Sequence, residues 1–186
     1  LWNRSKDQFP AYFLRPPSPD EVLAAFGRFM LLSCMRQGPF GVDTINEYFL
    51  QQSLKQAPVG AWIALPVMMT RNDPELELFN GDLGFLVRKI TTGMALKQCQ
   101  VEDYILFRDR KTGYRQISAL AAPAFEYSYC LSVHKSQGSE YDEILILMPS
   151  GAEVFGREML YTAVTRAKKR LTLIAEEDIL VKTVSN

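Results

Sequence analysis

A polar loop lies between two apolar runs in the second half of the chain. Its sequence, SVHKSQGSE, covers Ser132 to Glu140 and holds the only histidine in 186 residues, His134. In open α/β sheets, ligands bind in the loops beyond the carboxyl ends of strands, so this loop is the first candidate site. The hydroxyls of Ser132 and Ser136 and the Lys135 ammonium could all donate to phosphate oxygens.

The two ends of this loop suit different ligands. Gly138 permits a tight turn and leaves a backbone N–H open to an anion. Glu140 cannot contact a phosphate favourably, but it could accept a hydrogen bond from a ribose hydroxyl. The loop therefore predicts a surface that contacts a nucleotide on one side and a polynucleotide backbone on the other.

His134 does not have the partners that catalysis or metal binding would need. The chain has no second histidine, no C-x-x-C pair and no serine in a nucleophile-elbow motif, so we expect no metal site and no histidine-activated nucleophile. A loop histidine without a role is the plain alternative. Its polar neighbours favour a contact residue instead.

A second candidate stretch, EMLYTAVTRAKKRL, follows at Glu158 to Leu171. Its apolar residues recur at helical spacing, and Arg166 ends the apolar part. We expect the helix to continue through Lys169. The cations that follow Arg166 would then be solvated near a helix carboxyl end, where they suit the helix dipole.

The elements around these stretches alternate between helix and strand. Ser18, Pro19 and Glu21 predict a capped helix start, with the helix reaching about Gly27. Apolar runs and helical periodicity predict the remaining elements, which are strands at 28–35, 127–133, 143–148 and 170–175 and helices at 42–56, 156–169 and 176–184. This order is typical of an α/β fold.

The middle of the chain has a different pattern. Short β-like runs separated by turn signals at NDPE, FNGD, TTG and KTG predict a small β-barrel; the runs cover 61–71, 83–91, 94–101, 103–110 and 114–120. We therefore expect an α/β domain from residues 1–60 and 125–186, with a barrel inserted at 61–124. Six cations give the barrel local positive charge, either to follow phosphates or simply as exposed hairpin residues; they are Lys89, Lys97, Arg108, Arg110, Lys111 and Arg115.

Composition narrows the class of protein. The 21 basic and 21 acidic residues balance, so any nucleic-acid site must be local. Cys34, Cys99 and Cys130 are widely spaced among apolar neighbours, which predicts reduced thiols in a cytoplasmic protein. No apolar run reaches the length of a membrane span, and no signal-peptide pattern occurs.

The two candidate stretches together resemble a known family. SVHKSQGSEYD is similar to motif V of superfamily 1 helicases, and LYTAVTRAKKRL is similar to motif VI. VHKSQGSE most resembles the RecD branch, the alpha subunit of exodeoxyribonuclease V. RQGPFGVDTINEYF and PVMMTRNDPELELFNGDLGFL also resemble RecD segments, so the likeness runs from about Phe26 to Leu180.

The resemblance implies a fold and a set of roles. RecD-like proteins are ATP-driven 5′-to-3′ DNA helicases with two RecA-like domains, the second carrying an SH3-like barrel. By this resemblance, Arg166 is the arginine finger, which stabilises charge in phosphoryl transfer. Gly138, Glu140 and, as a motif IV residue, Arg36 would contact the nucleotide. Single-stranded DNA would contact the first part of the loop, namely Ser132, His134, Lys135, Ser136 and Gln137.

The phosphate-binding half of an ATPase is absent from the sequence. A P-loop needs glycine followed by lysine, and none of the 11 glycines has that neighbour. We therefore expect the C-terminal part of a longer helicase, inactive alone, with no ATP or Mg²⁺ bound to this part. The partners expected by resemblance are single-stranded DNA, an N-terminal P-loop domain of the same protein, and RecB-like and RecC-like subunits.

Other classes of protein remain open. The chain could be a non-catalytic interaction module or subunit that keeps the helicase fold, with a barrel that binds protein. It could also belong to a different superfamily 1 helicase, such as the helicase part of a relaxase. A nuclease is disfavoured, because no clustered carboxylates with a lysine form a metal site.

Overall fold

The computed structural model describes Ser5, Asp7, Phe9 and residues 12–25, 27–93 and 98–185. The chain forms two compact units. The β unit comprises Leu1–Phe26 and Phe49–Ser128, and the α/β unit comprises Gly27–Tyr48 and Tyr129–Asn186. The predicted boundaries differ from these, because residues 1–26, 49–60 and 125–128 group with the β unit.

The α/β unit contains a sheet of four parallel strands. In sheet order the strands are β10, β9, β2 and β8, with bounds Ala167–Ala175, Tyr141–Met148, Phe29–Ser33 and Cys130–Ser132. The two central strands are near-continuous apolar runs, as expected for strands that are covered on both faces. Leu31, Leu32 and Ile146 are fully buried in them.

The register fixes which loops share an edge of this sheet. Ser33 at the end of β2 pairs with Ser132 at the end of β8 and with Leu147 near the end of β9. The loops after β2 and β8 therefore leave from the same carboxyl edge. At the opposite, amino edge, Tyr141 at the start of β9 pairs with Ala167 at the start of β10.

Three helices belong wholly or partly to this unit. They are α2 at Val42–Gln56, which runs on into the β unit, α3 at Gly156–Val164 and α4 at Glu177–Ser185. The side chain of Asn46 on α2 forms two hydrogen bonds with the backbone of the short strand β8. Its Nδ2 donates to the Cys130 carbonyl at 3.0 Å, and the Cys130 amide donates to its Oδ1 at 2.8 Å.

The β unit is built on an antiparallel sheet. Its strands follow the order β1, β3, β4, β5 and β6, and β7 pairs with the carboxyl end of β3. The bounds are Tyr12–Phe13, Trp62–Met69, Leu83–Lys89, Tyr104–Asp109, Gly113–Ser118 and Phe125–Tyr127 for β1 and β3 to β7. Four of the five predicted β-like runs, those at 61–71, 83–91, 103–110 and 114–120, contain strands of this sheet.

A short helix, α1 at Pro19–Leu23, packs on this sheet. The predicted capping box is confirmed, since the Glu21 amide donates to Ser18 Oγ at 3.4 Å and the Ser18 amide donates to Glu21 Oε2 at 2.8 Å. The helix ends at Leu23 rather than near Gly27. Val22 and Leu23 join a buried cluster with apolar residues of β3, β4 and β5.

A buried ion pair lies within the β unit. Arg88 Nη2 lies 2.9 Å from Asp103 Oδ2, and the two side chains are 0% and 1% exposed. The same nitrogen donates to the Gln98 carbonyl at 2.8 Å, and Asp103 also accepts from the Gln100 amide at 2.9 Å. These hydrogen bonds offset part of the desolvation that burying two charges requires.

Three predicted elements differ from the structure. The predicted strand at 127–133 is two strands, β7 and β8, which pair in different sheets. The predicted helix at 156–169 ends at Val164, and its last residues belong to β10. For the predicted strand at 94–101, residues 94–97, including Lys97, lie outside the described residues, and the remainder is not a strand.

Among the residues that the structure describes, no helix is long and apolar enough to cross a membrane.

Candidate functional site

The loop after β8 begins with a tight turn. A 3₁₀ turn spans His134–Ser136, and the Lys135 amide donates to Ser132 Oγ at 3.4 Å. Val133 is buried, which anchors the turn to the unit. His134, Lys135 and Gln137 are exposed around it, at the carboxyl edge of the sheet.

Ser136 does not share this exposure. Its side chain is fully buried, and its hydroxyl donates to the Val133 carbonyl at 2.7 Å. The prediction of a DNA contact for Ser136 therefore conflicts with the structure, because the hydroxyl closes the turn. Four residues of the predicted DNA-contacting set remain accessible or half-accessible, namely Ser132, His134, Lys135 and Gln137.

The second half of the loop crosses to the amino edge of the sheet. Gly138 has a φ of +83°, and nothing lies within 4 Å of the position that a Cβ would take. A side chain at this position would meet no neighbouring atom, but the left-handed φ favours glycine. Glu140 is exposed, and its Oε2 lies 3.2 Å from Lys168 Nζ. Burial raises the pKa of Tyr141 to about 12, so its phenol stays protonated at neutral pH.

Arg166 lies beside this second half of the loop. It follows the end of α3, and three guanidinium contacts hold its side chain. Nε donates to the Thr162 carbonyl at 3.2 Å, Nη2 to Thr165 Oγ1 at 3.2 Å, and Nη1 to the Ser139 carbonyl at 3.4 Å. The first two contacts come from the end of its own helix, and the third reaches the loop that precedes β9.

The predicted nucleotide group and the predicted DNA group therefore lie at opposite edges of one sheet. Gly138, Glu140 and Arg166 meet at the amino edge, where β9 and β10 begin. Ser132 and His134 lie at the carboxyl edge, where β8 ends. The loop between them and helix α3 both run across the sheet from one edge to the other.

Arg36 does not join the nucleotide group. It lies three residues beyond the end of β2, at the carboxyl edge, and Nη2 lies 3.4 Å from Asp43 Oδ1. Six residues of β9 separate Tyr141 at the amino edge from Leu147 at this edge, which amounts to about 20 Å. The structure thus places Arg36 and Tyr141 at different edges of the sheet, and a nucleotide contact by Arg36 stays a prediction.

The cations after Arg166 also differ from the prediction. They lie on strand β10 rather than at a helix end, and they face acidic residues at the start of β9. The pairs are Lys168 with Glu140 at 3.2 Å, Lys169 with Asp142 at 2.9 Å and Arg170 with Glu143 at 3.5 Å. Most of these side chains are well exposed, so each pair adds little stability.

Sequence reasoning missed a small pocket beside His134. It has a volume of about 290 Å³ and lies between the loop and helix α3, with seven lining residues: Val133, His134, Gln137, Phe155, Glu158, Met159 and Thr162. Glu158 and Thr162 had been treated only as parts of a helix. Their spacing of four residues, which places them on one helical face, was the signal that could have linked them.

A family model and several curated proteins match the chain. The UvrD-like helicase C-terminal domain matches residues 127–174. RecBCD enzyme subunit RecD from Mycolicibacterium smegmatis is 33% identical, over 84% of this chain and 27% of the relative. The Haemophilus influenzae subunit is 29% identical, over 86% and 23%. ATP-dependent RecD2 DNA helicase from Deinococcus radiodurans is 32% identical, over 77% and 19%.

Solved structures resemble the fold. A Pif1 helicase from Bacteroides, in complex with ADP-AlF3 and ssDNA, has a TM-score of 0.53 at 16% identity, over 86% of this chain and 42% of that one. Pif1 from Candida albicans has a TM-score of 0.52 at 18% identity, over 87% and 48%. The chain spans about a quarter of the length of the RecD relatives. Over most of its length, the chain is thus similar to the C-terminal region of RecD-like superfamily 1 helicases, as its two motifs predict.

Proposed function

We propose that this chain is the C-terminal part of an ATP-dependent 5′-to-3′ DNA helicase subunit that acts in double-strand break repair and recombination. In this proposal it supplies an arginine finger, Arg166, and contacts to single-stranded DNA. The P-loop that binds the phosphates would come from an N-terminal domain of the same protein, because no glycine here is followed by lysine.

One observation carries the proposal. The Arg166 guanidinium donates to the Ser139 carbonyl, between Gly138 and Glu140. Residues chosen from two separate motifs for the same ligand are thus neighbours in space. Arginine suits this role, because its planar fork donates to two phosphate oxygens at once.

The residues at the amino edge fit one side of a bound nucleotide. Gly138 leaves open space and a backbone N–H, and Arg166 supplies positive charge. Glu140 supplies an exposed carboxylate that could accept from a ribose hydroxyl. ATP with Mg²⁺ would supply the phosphoryl group whose hydrolysis drives unwinding, and this chain would bind and orient it from one side only.

The relatives support proposals for partners. RecD relatives are named as subunits of the RecBCD enzyme, so we infer RecB-like and RecC-like subunits as partners of the complete protein. RecD2 is named as an ATP-dependent DNA helicase, which supports the helicase activity. A cytoplasmic location would follow from a role on chromosomal DNA.

We also propose finer assignments for the two units. The α/β unit would be the second RecA-like domain, since its sheet has four parallel strands whose central pair is buried. The β unit would hold the SH3-like barrel, since it forms an antiparallel sheet of short strands. Lys89, Arg108, Arg110, Lys111 and Arg115 would then be the candidates for phosphate contact, although Arg115 already donates to the Leu76 and Glu77 carbonyls.

Replacing Arg166 in the complete protein tests the proposal. Arg166→Ala should lower DNA-stimulated ATP hydrolysis by about 10³-fold or more, the scale of an arginine finger. Binding of single-stranded DNA should remain within about twofold, because the DNA group lies at the other edge. Near-normal ATP turnover would exclude the finger and favour the non-catalytic module.

Two controls separate catalysis from folding. Arg166→Lys keeps the charge but loses the planar fork, so this variant should also hydrolyse ATP slowly. Arg157→Ala removes an exposed arginine from the first turn of the same helix, and it should hydrolyse ATP normally. Thermal unfolding of each variant shows whether the lost Arg166 contacts have destabilised the unit.

A further inference from the structure

We propose that the pocket between the loop after β8 and helix α3 binds one nucleobase of single-stranded DNA, and that it favours bases with an exocyclic amino group. This rests on the proposed function, since it deepens the DNA contact assigned to His134. At about 290 Å³, the pocket lies at the small end of ligand sites, which suits one planar group.

The walls of the pocket match the flat surface of a base. Val133 and Met159 are buried and form an apolar lining. Phe155, which immediately precedes helix α3, also lines the pocket and is 42% exposed. An exposed aromatic side chain beside an apolar surface is the usual platform on which a base stacks.

The polar residues match the edge of a base rather than a phosphate. Glu158 and Gln137 line the pocket, and both are exposed. A carboxylate repels phosphate oxygens, so Glu158 would weaken any backbone contact made inside the pocket. The same carboxylate accepts well from the N4 amino group of cytosine and from other exocyclic amines.

The backbone contacts can be made next to the pocket. Lys135 is exposed on the same turn, and Ser132 is half-exposed at the end of β8. Phosphates can therefore lie along Ser132 and Lys135 while one base enters beside His134. Thymine has a carbonyl oxygen, O4, where cytosine has its N4 amino group, so Glu158 should disfavour thymine.

Binding of labelled oligonucleotides to the 186-residue chain tests this inference. Fluorescence anisotropy compares oligo-dC with oligo-dT of about 12 nucleotides, two pyrimidines that stack similarly. We expect oligo-dC to bind about fivefold more tightly. Glu158→Gln should abolish that ratio, because the glutamine amide can donate to a thymine oxygen.

Two further variants complete the test. Phe155→Leu should lower the affinity for both oligonucleotides by about fivefold without changing the ratio of the two affinities, since stacking does not depend on base identity. Glu177→Gln is the matched control, because Glu177 is likewise an acid in the first turn of a helix of this unit. It should leave both affinities and their ratio unchanged.

The outcomes separate this inference from the proposed function. If the chain binds oligo-dC and oligo-dT equally, or if Glu158→Gln keeps the original ratio, the base pocket is wrong while the DNA contact stands. If neither oligonucleotide binds, the DNA contact and the pocket are both wrong. The pocket is supported if Glu158→Gln binds the two oligonucleotides equally while Glu177→Gln keeps the preference for oligo-dC.

Discussion

Arg166 Nη1 donates to the carbonyl oxygen of Ser139 at 3.4 Å, and the Arg166 carbonyl accepts from the Tyr141 amide at 2.9 Å. The predicted finger is thus linked on both its side chain and its backbone to the segment that ends the loop after β8. The position of the guanidinium depends on the backbone at 138–139. A change of the backbone there should move the Arg166 guanidinium without any substitution of the arginine itself.

Gly138→Ala tests that dependence. The φ of +83° with open space around the missing Cβ means that the cost is backbone strain, about 1 kcal/mol. Urea unfolding of the 186-residue chain should show this loss. In the complete helicase, DNA-stimulated ATP hydrolysis should fall more than the stability loss explains, because the Ser139 carbonyl shifts away from Arg166.

Gly113→Ala is the matched control for that substitution. Gly113 has a φ of +84° and equally open surroundings, but it begins β6 in the β unit. The strain should be similar while ATP hydrolysis stays normal. Equal effects of the two substitutions on hydrolysis would show that the Ser139 contact does not position Arg166.

The loop and the basic strand should differ in their effect on DNA binding. Lys135→Ala should weaken binding of single-stranded DNA and reduce the slope of log affinity against log salt by about 0.7, because one phosphate contact is lost. Lys169→Ala should leave the slope unchanged, since Asp142 already faces Lys169 at 2.9 Å. Titrations at several salt concentrations measure both slopes, and the opposite ranking would assign DNA to β10.

His134→Ala should separate the two functions of the loop. His134 is exposed at the carboxyl edge, so its loss should weaken single-strand binding or unwinding more than the affinity for ATP. Oligonucleotide titration and nucleotide titration of the complete helicase give the two affinities. A larger loss for ATP would reverse the assignment of the two edges.

The buried ion pair of the β unit should dominate that unit's stability. Asp103→Asn leaves the Arg88 guanidinium buried beside a neutral group, which costs about 3–5 kcal/mol. Asp178→Asn, which removes an exposed partner of Lys182, should cost less than about 1 kcal/mol. Tryptophan fluorescence in urea reports the first variant, because Trp62 lies on β3 of the same sheet.

The capped start of α1 should give the chain an acid-sensitive contact. Hydrogen bonding to Arg15, together with bonds from Ser18, lowers the pKa of Glu21 from 4.5 to about 2. A lowered pKa means that the stabilisation is complete above the unfolded value and is lost as the pH falls from about 4.5 through about 2. The difference in unfolding midpoint between wild type and Glu21→Gln should therefore shrink between pH 5 and pH 2.

The elements that were predicted correctly are those that depend on residues close together in the chain. The capping box at Ser18 and Glu21 depends on residues three positions apart, and it is present as predicted. Helix α2 begins and ends where its amphipathic pattern does, at Val42 and Gln56. Both features are determined by neighbours within one or two helical turns.

The predictions failed where the structure depends on contacts between residues that are far apart in the sequence. The run from Ala167 to Arg170 has helical propensity, but Ala167 and Arg170 pair with Tyr141 and Glu143 of β9, and this parallel ladder continues to Ala175. Arg36 could be placed only by the register of β2 against β8 and β9, which the sequence does not contain. Ser136 resembled its exposed neighbours, and only the turn geometry buries its hydroxyl.

Helix α3 separates the base pocket from Arg166 by a fixed length. Phe155 and Glu158 lie at its start and Arg166 two residues past its end, so an insertion of one residue within the helix would rotate the guanidinium by about 100° relative to the pocket. Such a variant would keep every side chain and still uncouple the two ends. The spacing between Phe155 and Arg166 therefore matters as a length, independently of the residue types that fill it.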